Sequence, residues 1–161
     1  MKGKTVNESS VFIVQQMTQQ DANMAGNVHG GIIMKLIDST AGIVAGRHAS
    51  SNVVTASIDR LDFHNPVYVG DLLKVNACIN YVGTSSMEIG ARVEAENFLT
   101  GKRRHTASAY LTFVALDSDG KPLSVPPLIF KTEEERRRHR EGAERRKLRL
   151  EERKREREAQ S

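Results

Sequence analysis

Apolar positions along the chain fall into two kinds of pattern. One run, Ile32–Ala45 (IIMKLIDSTAGIVA), is apolar on nearly every helical face, which predicts a buried helix stopped by Gly46. Shorter runs rich in Val, Ile, Ala, Thr and Leu predict strands: Ser9–Met17 ahead of the helix, then Val53–Phe63, Leu72–Val82, Met87–Phe98 and His105–Leu116 after it. Several of these alternate, as in Leu73, Val75, Ala77 and Ile79. Turn chemistry separates them, at Asn65-Pro66, Gly70-Asp71, Gly83, Thr100-Gly101 and Asp119-Gly120. One long helix followed by antiparallel strands at hairpin spacing is an α+β pattern, with the helix on one sheet face. No second helix alternates with the strands, so a doubly wound fold is excluded.

From about Thr132 the pattern changes. TEEERRRHREGAERRKLRLEERKREREAQ has only Leu148, Leu150 and a few alanines as apolar residues. Opposite charges recur four apart with Glu first: Glu133/Arg137, Glu134/Arg138, Glu141/Arg145 and Glu151/Arg155. Each such pair supports a solvated helix by about 0.2–0.5 kcal/mol. Residues 131–161 therefore read as a projecting, partly frayed helix outside a body of residues 1–130, with Gly142 its weak point.

Composition sharpens this division. Residues 131–161 carry 13 Lys and Arg against 9 Asp and Glu, whereas residues 1–130 carry 11 of each. A neutral body argues against nucleic-acid binding by the folded surface. The tail could form a nucleic-acid arm, but its acids are interleaved and it lacks an aromatic to stack on bases. Apolar residues make up 39% of 161, with no Trp, so the core rests on aliphatic side chains. A single cysteine, Cys78, forms no internal disulfide and reads as a small core residue. No secretory leader or membrane-length apolar run is visible, so a cytoplasmic protein is expected.

The candidate chemistry centres on Asp38, set among Leu36, Ile37, Ala41, Ile43 and Val44. Burying an unpaired carboxylate costs several kcal/mol. Asp38 therefore either bonds Ser39, Thr40 or a backbone amide along a polar seam, or has a catalytic task. Ahead of the helix, Asn23, Asn27 and His29 precede Gly30-Gly31. Paired glycines allow close backbone approach at a helix N-terminus, whose free N–H groups can hold an oxyanion. Equally, Asn27 can cap the helix and the glycines turn the chain. The five histidines, His29, His48, His64, His105 and His139, show no metal-ligand spacing.

The stretches DANMAGNVHGGIIMKLID, VTASIDRLDFHNPVYVGD and HTASAYLTFVALD, with the VPPLIF exit, resemble the hot-dog acyl-CoA thioesterases of the cytosolic brain-type and YciA-like group. The resemblance spans about Ser10 to Leu128. It implies a hot-dog fold, a long helix wrapped by an antiparallel sheet of five to six strands. Two copies are then expected to pair edge to edge with two active sites between them, the homodimers assembling further into a homohexamer. By resemblance, Asp38 is the catalytic carboxylate, acting as general base or nucleophile. Asn23 is the loop asparagine, supplied by the opposite subunit. The Gly30-Gly31 amides, Gly31 ahead of Gly30, form the oxyanion hole. Asn27 and His29 are expected near the substrate. Thr84, Ser85 and Ser86, with Arg103 and Arg104, are candidates for holding coenzyme A, although Lys102–Arg104 fit a solvated hairpin end as well. No metal and no cofactor beyond the substrate's coenzyme A is expected. Rival readings are a hydroxyacyl-thioester dehydratase, disfavoured by a helix that carries Asp38 and no histidine, and a non-catalytic acyl-CoA sensor reporting through the tail.

Overall fold

A computed structural model describes all residues, 1–161. Its elements run β1 (Lys4–Thr5), α1 (Val6–Ser9), β2 (Val11–Gln16), a 3-10 turn (Gln19–Asp21), α2 (Gly30–Ala49), β3 (Asn52–Phe63), β4 (Leu72–Val82), β5 (Ser86–Asn97), β6 (Lys102–Leu116), β7 (Leu128–Ile129) and α3 (Glu133–Gln160). Five strands form one antiparallel sheet in the order β2-β4-β5-β6-β3, and β1 pairs with β7 in parallel beside it. The α+β hot-dog expectation holds.

Alternation along the strands sends Leu73, Val75, Ala77 and Ile79 of β4, Met87, Ile89, Ala91 and Val93 of β5, and Leu111, Phe113 and Ala115 of β6 toward α2. They bury against Ile33, Ile37, Ala41, Val44 and Ala45 of the helix in one core cluster. Alanines at Ala77, Ala91, Ala107 and Ala109 leave room for the helix, and the ring of Phe113 fills the space over Gly42.

Two sequence expectations about helices need correction. The first is that α2 does not stop at Gly46. It continues to Ala49 and closes on Ser50 in the left-handed region (φ 53), whose N–H bonds the Gly46 carbonyl at 2.8 Å. A helical glycine costs only about 1 kcal/mol, and the extra turn buries His48 and Ala49. His48 Nε2 lies 2.7 Å from the Pro126 carbonyl, tying the helix end to the VPPLIF segment. Nor is α2 buried all round: Met34 and Ile43 are exposed in the single subunit.

The second correction concerns the tail. Far from projecting as a solvated arm, α3 lies across the sheet face opposite α2. Gly142, Arg145 and Arg149 fall on one helical face and meet β4, β5, β6 and β3 in turn. Gly142 is buried against Tyr81, where a Cβ would come within 2.8 Å of the Tyr81 Cβ, so the supposed weak point is a point of close approach. Arg145 donates Nη2 (2.7 Å) and Nε (3.0 Å) to the Glu88 carboxylate, and its guanidinium sits 3.8 Å from the Tyr110 ring centre. Glu88, 2% exposed, also accepts from Asn80 Nδ2 at 3.1 Å. Arg149 Nη1 reaches Asp59 Oδ2 at 3.0 Å. His139 packs between Tyr81 and Phe130.

Of the four in-helix pairs expected, Glu134/Arg138 forms at 2.7 Å. Glu133 pairs with Arg136 instead of Arg137, and Arg145 turns from Glu141 to Glu88. Thr132 caps α3, accepting from Glu135 N while the Glu135 carboxylate takes the Thr132 N–H. Beyond Leu150 the helix is exposed on every side.

Candidate active site

Asp38 stands midway along α2, half-buried, on the flank that faces β3. Its Oδ1 accepts the hydroxyl of Thr55 at 2.8 Å, and Oδ2 makes no hydrogen bond within the chain. The partner is therefore neither Ser39 nor Thr40: Thr40 donates to the Leu36 carbonyl at 2.6 Å. Thr55 was not singled out from the sequence, because a threonine in a strand is ordinary.

β3 is an edge of the sheet and is bulged twice. Its register with β6 slips between Thr55 and Ser57 and again between Asp59 and Asp62, with Arg60 at φ 53. Bulges re-aim side chains beside functional sites. Here the first follows Thr55 directly.

The Asn23 loop precedes α2. Asn23 Oδ1 accepts from Ala25 N (2.9 Å) and Asn27 N (3.2 Å), closing the loop on itself, and the Asn23 side-chain N–H₂ makes no bond within the chain. Neighbouring backbone bonds, Val28 N to Val67 O (2.8 Å) and His29 N to Asp21 O (2.7 Å), fix the loop to the Pro66–Asp71 turn and the 3-10 turn. Asn27 bridges to Tyr68 and does not cap α2.

The cap is His29, whose Nδ1 accepts the Gly31 N–H at 2.8 Å. Accepting through Nδ1 puts the neutral ring's proton on Nε2. The preferred oxyanion donor, Gly31, is thus occupied by His29 in the single subunit. Gly30 N–H has no acceptor in the chain, as expected at the first position of a helix. No hydrogen bond joins Asn23 to Asp38 within one chain.

The residues expected to meet coenzyme A are scattered. Arg104 pairs with Asp71 beneath the Tyr68 ring, and Asp71 accepts the Tyr68 N–H at 3.0 Å. That cluster braces the turn beneath the Asn23 loop. Arg103, more exposed, bonds Glu96 at 2.9 Å. Glu96 is held below the usual carboxylate range by its bonds to Arg103 and Lys74. Thr84 and Ser85 give their carbonyls to Val125 and Ala115 at the β4–β5 turn, and Ser86 opens β5. Ser86 and Arg103 sit at opposite ends of that strand, since Arg103 pairs with Glu96. Ten residues at about 3.3 Å each put them roughly 33 Å apart. Cys78 lies half-buried under α3 with Arg138 Nη1 3.8 Å from its sulfur, and burial pushes its thiol up. Such a thiol is a poor nucleophile. No group of His, Cys, Asp and Glu has a metal-binding arrangement, and no helix is long and apolar enough to cross a membrane.

Comparison with known proteins adds the family. Residues 25–101 match the thioesterase superfamily. The chain is 40% identical over 140 residues to the cytosolic acyl coenzyme A thioester hydrolase of Rattus norvegicus, covering 86% of this chain. It spans only 37% of that relative's length. An uncharacterized acyl-CoA thioester hydrolase of Bacillus subtilis is 42% identical over 80% of this chain and 74% of its own. Among solved structures, an apo-hexameric acyl-CoA thioesterase superposes with a TM-score of 0.90 at 37% identity, covering 94% of this chain and 97% of that one. An acyl-CoA hydrolase of Staphylococcus aureus, solved with butyryl coenzyme A, coenzyme A and coenzyme A disulfide, gives 0.86 at 39% identity over 96% of each chain. That hydrolase has also been solved as alanine variants of an aspartate, an asparagine and a threonine. In fold, in sequence and along nearly its whole length, this chain belongs to the thioesterase superfamily, among the acyl-CoA thioester hydrolases.

Proposed function

We propose that the protein hydrolyses acyl-CoA thioesters in the cytosol to a free carboxylic acid and coenzyme A, with Asp38 as the base. The observation that carries this is the Asp38–Thr55 hydrogen bond, which fixes one carboxylate oxygen and leaves Oδ2 unbonded. Spacing supports it independently. The asparagine and aspartate replaced in the Staphylococcus aureus variants stand fifteen positions apart, and its aspartate and threonine seventeen. Asn23, Asp38 and Thr55 have the same separations.

Asp38 Oδ2 takes a proton from water as the water oxygen attacks the thioester carbonyl. The developing oxyanion takes Gly30 N–H, and Gly31 N–H once the exposed His29 ring turns away from it. As the tetrahedral intermediate collapses, the C–S bond breaks and the leaving thiolate recovers the proton from Asp38. Asn23 donates its unused amide N–H to the carbonyl or the water. Asn27 acts through the loop backbone.

The site is shared between two copies. β3 offers a twelve-residue edge with no neighbour beyond it, and Val54, Phe63 and Met34 are exposed along that flank. A bare edge of this length favours pairing with another strand. Two β3 edges joined antiparallel make a ten-stranded sheet and bring the Asn23 loop of one copy to Asp38 of the other. Dimers assemble further into a hexamer, the state of the apo thioesterase it resembles. Coenzyme A then runs over Arg103 of one subunit and the Thr84–Ser86 turn of another, since one chain holds these too far apart. Mixing inactive Asn23→Ala and Asp38→Ala proteins under conditions of subunit exchange restores one intact site per mixed dimer. Exchange without recovered hydrolysis places both residues in one chain and refutes the shared site.

A further inference from the structure

On the sheet face turned away from Asp38, the last polar contact of α3 falls on the edge strand that carries Thr55. Residues 57–59 of β3 lie between the two bulges, with β6 their one strand neighbour within the chain. A bulge interrupts the ladder and leaves its extra residue unpaired, so the pairing of this segment with β6 is broken at both of its ends. Its tie to the layer above is Asp59, whose carboxylate receives Arg149 Nη1 at 3.0 Å. Ser57 Oγ and Thr112 Oγ1, cross-strand partners on the same face, are buried without hydrogen bonds and pin nothing. Arg149 is 14% exposed at its side chain and Asp59 36%, so water screens this pair less than a surface bridge.

We infer that Arg149 and Asp59 are positioning residues for the Asp38–Thr55 pair. The ion pair clamps residues 57–59 from behind, fixes how far the first bulge twists the strand, and so sets where the Thr55 hydroxyl meets Asp38. This rests on the catalytic reading of Asp38. Arg149 makes no contact with Asp38, and its effect passes through Thr55. α3 thereby joins the outer face of the sheet to its chemistry through β3.

The test uses the full chain with Arg149→Lys, Arg149→Met, Asp59→Asn and Thr55→Ala, assayed by steady-state acyl-CoA hydrolysis. Arg149→Met keeps the apolar stem and removes the charge. Arg149→Lys keeps the single bond to Oδ2. Misplacing a catalytic group by about 1 Å costs about a hundredfold, and a partial shift of a hydrogen-bonded threonine costs less. Arg149→Met and Asp59→Asn each lower kcat about five- to tenfold with KM nearly unchanged. Arg149→Lys stays within about twofold of the parent, and the Arg149→Met/Asp59→Asn double variant is no slower than the worse single. In a Thr55→Ala background, Arg149→Met lowers kcat no further. Asp59→Asn, isosteric and half-exposed, carries the test if Arg149→Met does not fold. Parental kcat in the variants, or the same fold loss with and without Thr55, overturns the assignment. A parent chain that hydrolyses no acyl-CoA instead sinks the catalytic reading beneath it.

Discussion

Removing Arg145 should be among the most damaging single changes on the outer face of the sheet. Glu88 is nearly inaccessible to water, and three of its four hydrogen-bond contacts come from the Arg145 guanidinium. Arg145→Ala leaves a buried carboxylate with only the Asn80 amide to answer it. Breaking a buried ion pair from one side costs about 3–5 kcal/mol, and the stacking on Tyr110 adds about 0.5–1 kcal/mol. At about 2–4 °C per kcal/mol for a chain this size, Tm falls by roughly 7–24 °C. Differential scanning calorimetry at fixed subunit concentration reads this directly, since assembly makes Tm concentration-dependent. The double variant Glu88→Leu/Arg145→Met separates charge from contact. Replacing both partners by apolar groups is often neutral, so the double should recover most of the loss, less about 1 kcal/mol for the orphaned Asn80 amide. A Tm for Arg145→Ala within about 2 °C of the parent would refute the docked α3 and restore the picture of a solvated arm.

Other outcomes follow from the same geometry. Gly142→Ala improves helix propensity by about 1 kcal/mol, yet its Cβ would meet the Tyr81 Cβ at 2.8 Å. Overpacking costs about 1–3 kcal/mol, so the clash should win with a net loss of up to about 2 kcal/mol in urea unfolding; a gain in stability would mean that α3 is not seated there. Thr55→Ser keeps the hydroxyl and should retain most of kcat, whereas Thr55→Ala loses about tenfold or more, as steady-state kinetics will read. His48, His105 and His139 are all pulled below the ordinary histidine range, burial being the largest cause at each. Their neutral forms are favoured in the fold, so their contribution is complete above about pH 6.5 and is lost as pH falls through the lowered values. Tm should drop between pH 7 and 5, and His48→Gln should shallow that slope.

Much of the body was legible because its helix and strands are written in apolar periodicity. The apolar run Leu72–Val82 coincides with β4 end to end, and Asp38 stands out as a carboxylate in an aliphatic helix. What stayed hidden was held by polar contacts. The α3-facing side of β5 is Ser86, Glu88, Gly90 and Arg92, an ordinary solvated face until an arginine-bearing helix lies on it. No hydrophobic stripe announces such docking. A clue was present in Gly142, a costly residue in an otherwise strong helix former, retained where Tyr81 allows no side chain. Thr55 was missed because its role exists only once β3 brings it to Asp38, seventeen residues away. Likewise the His29 cap shows itself only when the ring turns back on Gly31. The helix runs past Gly46 because the buried Ala49 and the His48–Pro126 hydrogen bond offset the glycine's intrinsic cost.

The central claim is that Asp38 Oδ2 deprotonates the attacking water, and Asp38→Asn tests it with least disturbance, since shape is kept and only the charge is removed. The measurement is release of free coenzyme A thiol from short- and long-chain acyl-CoA by the parent and the variant, with assembly and Tm checked in parallel. The parent is expected to turn over, and Asp38→Asn to lose at least about a hundredfold in kcat with its fold and assembly unchanged. An Asp38→Asn protein that is folded, assembled and as fast as the parent would contradict the account.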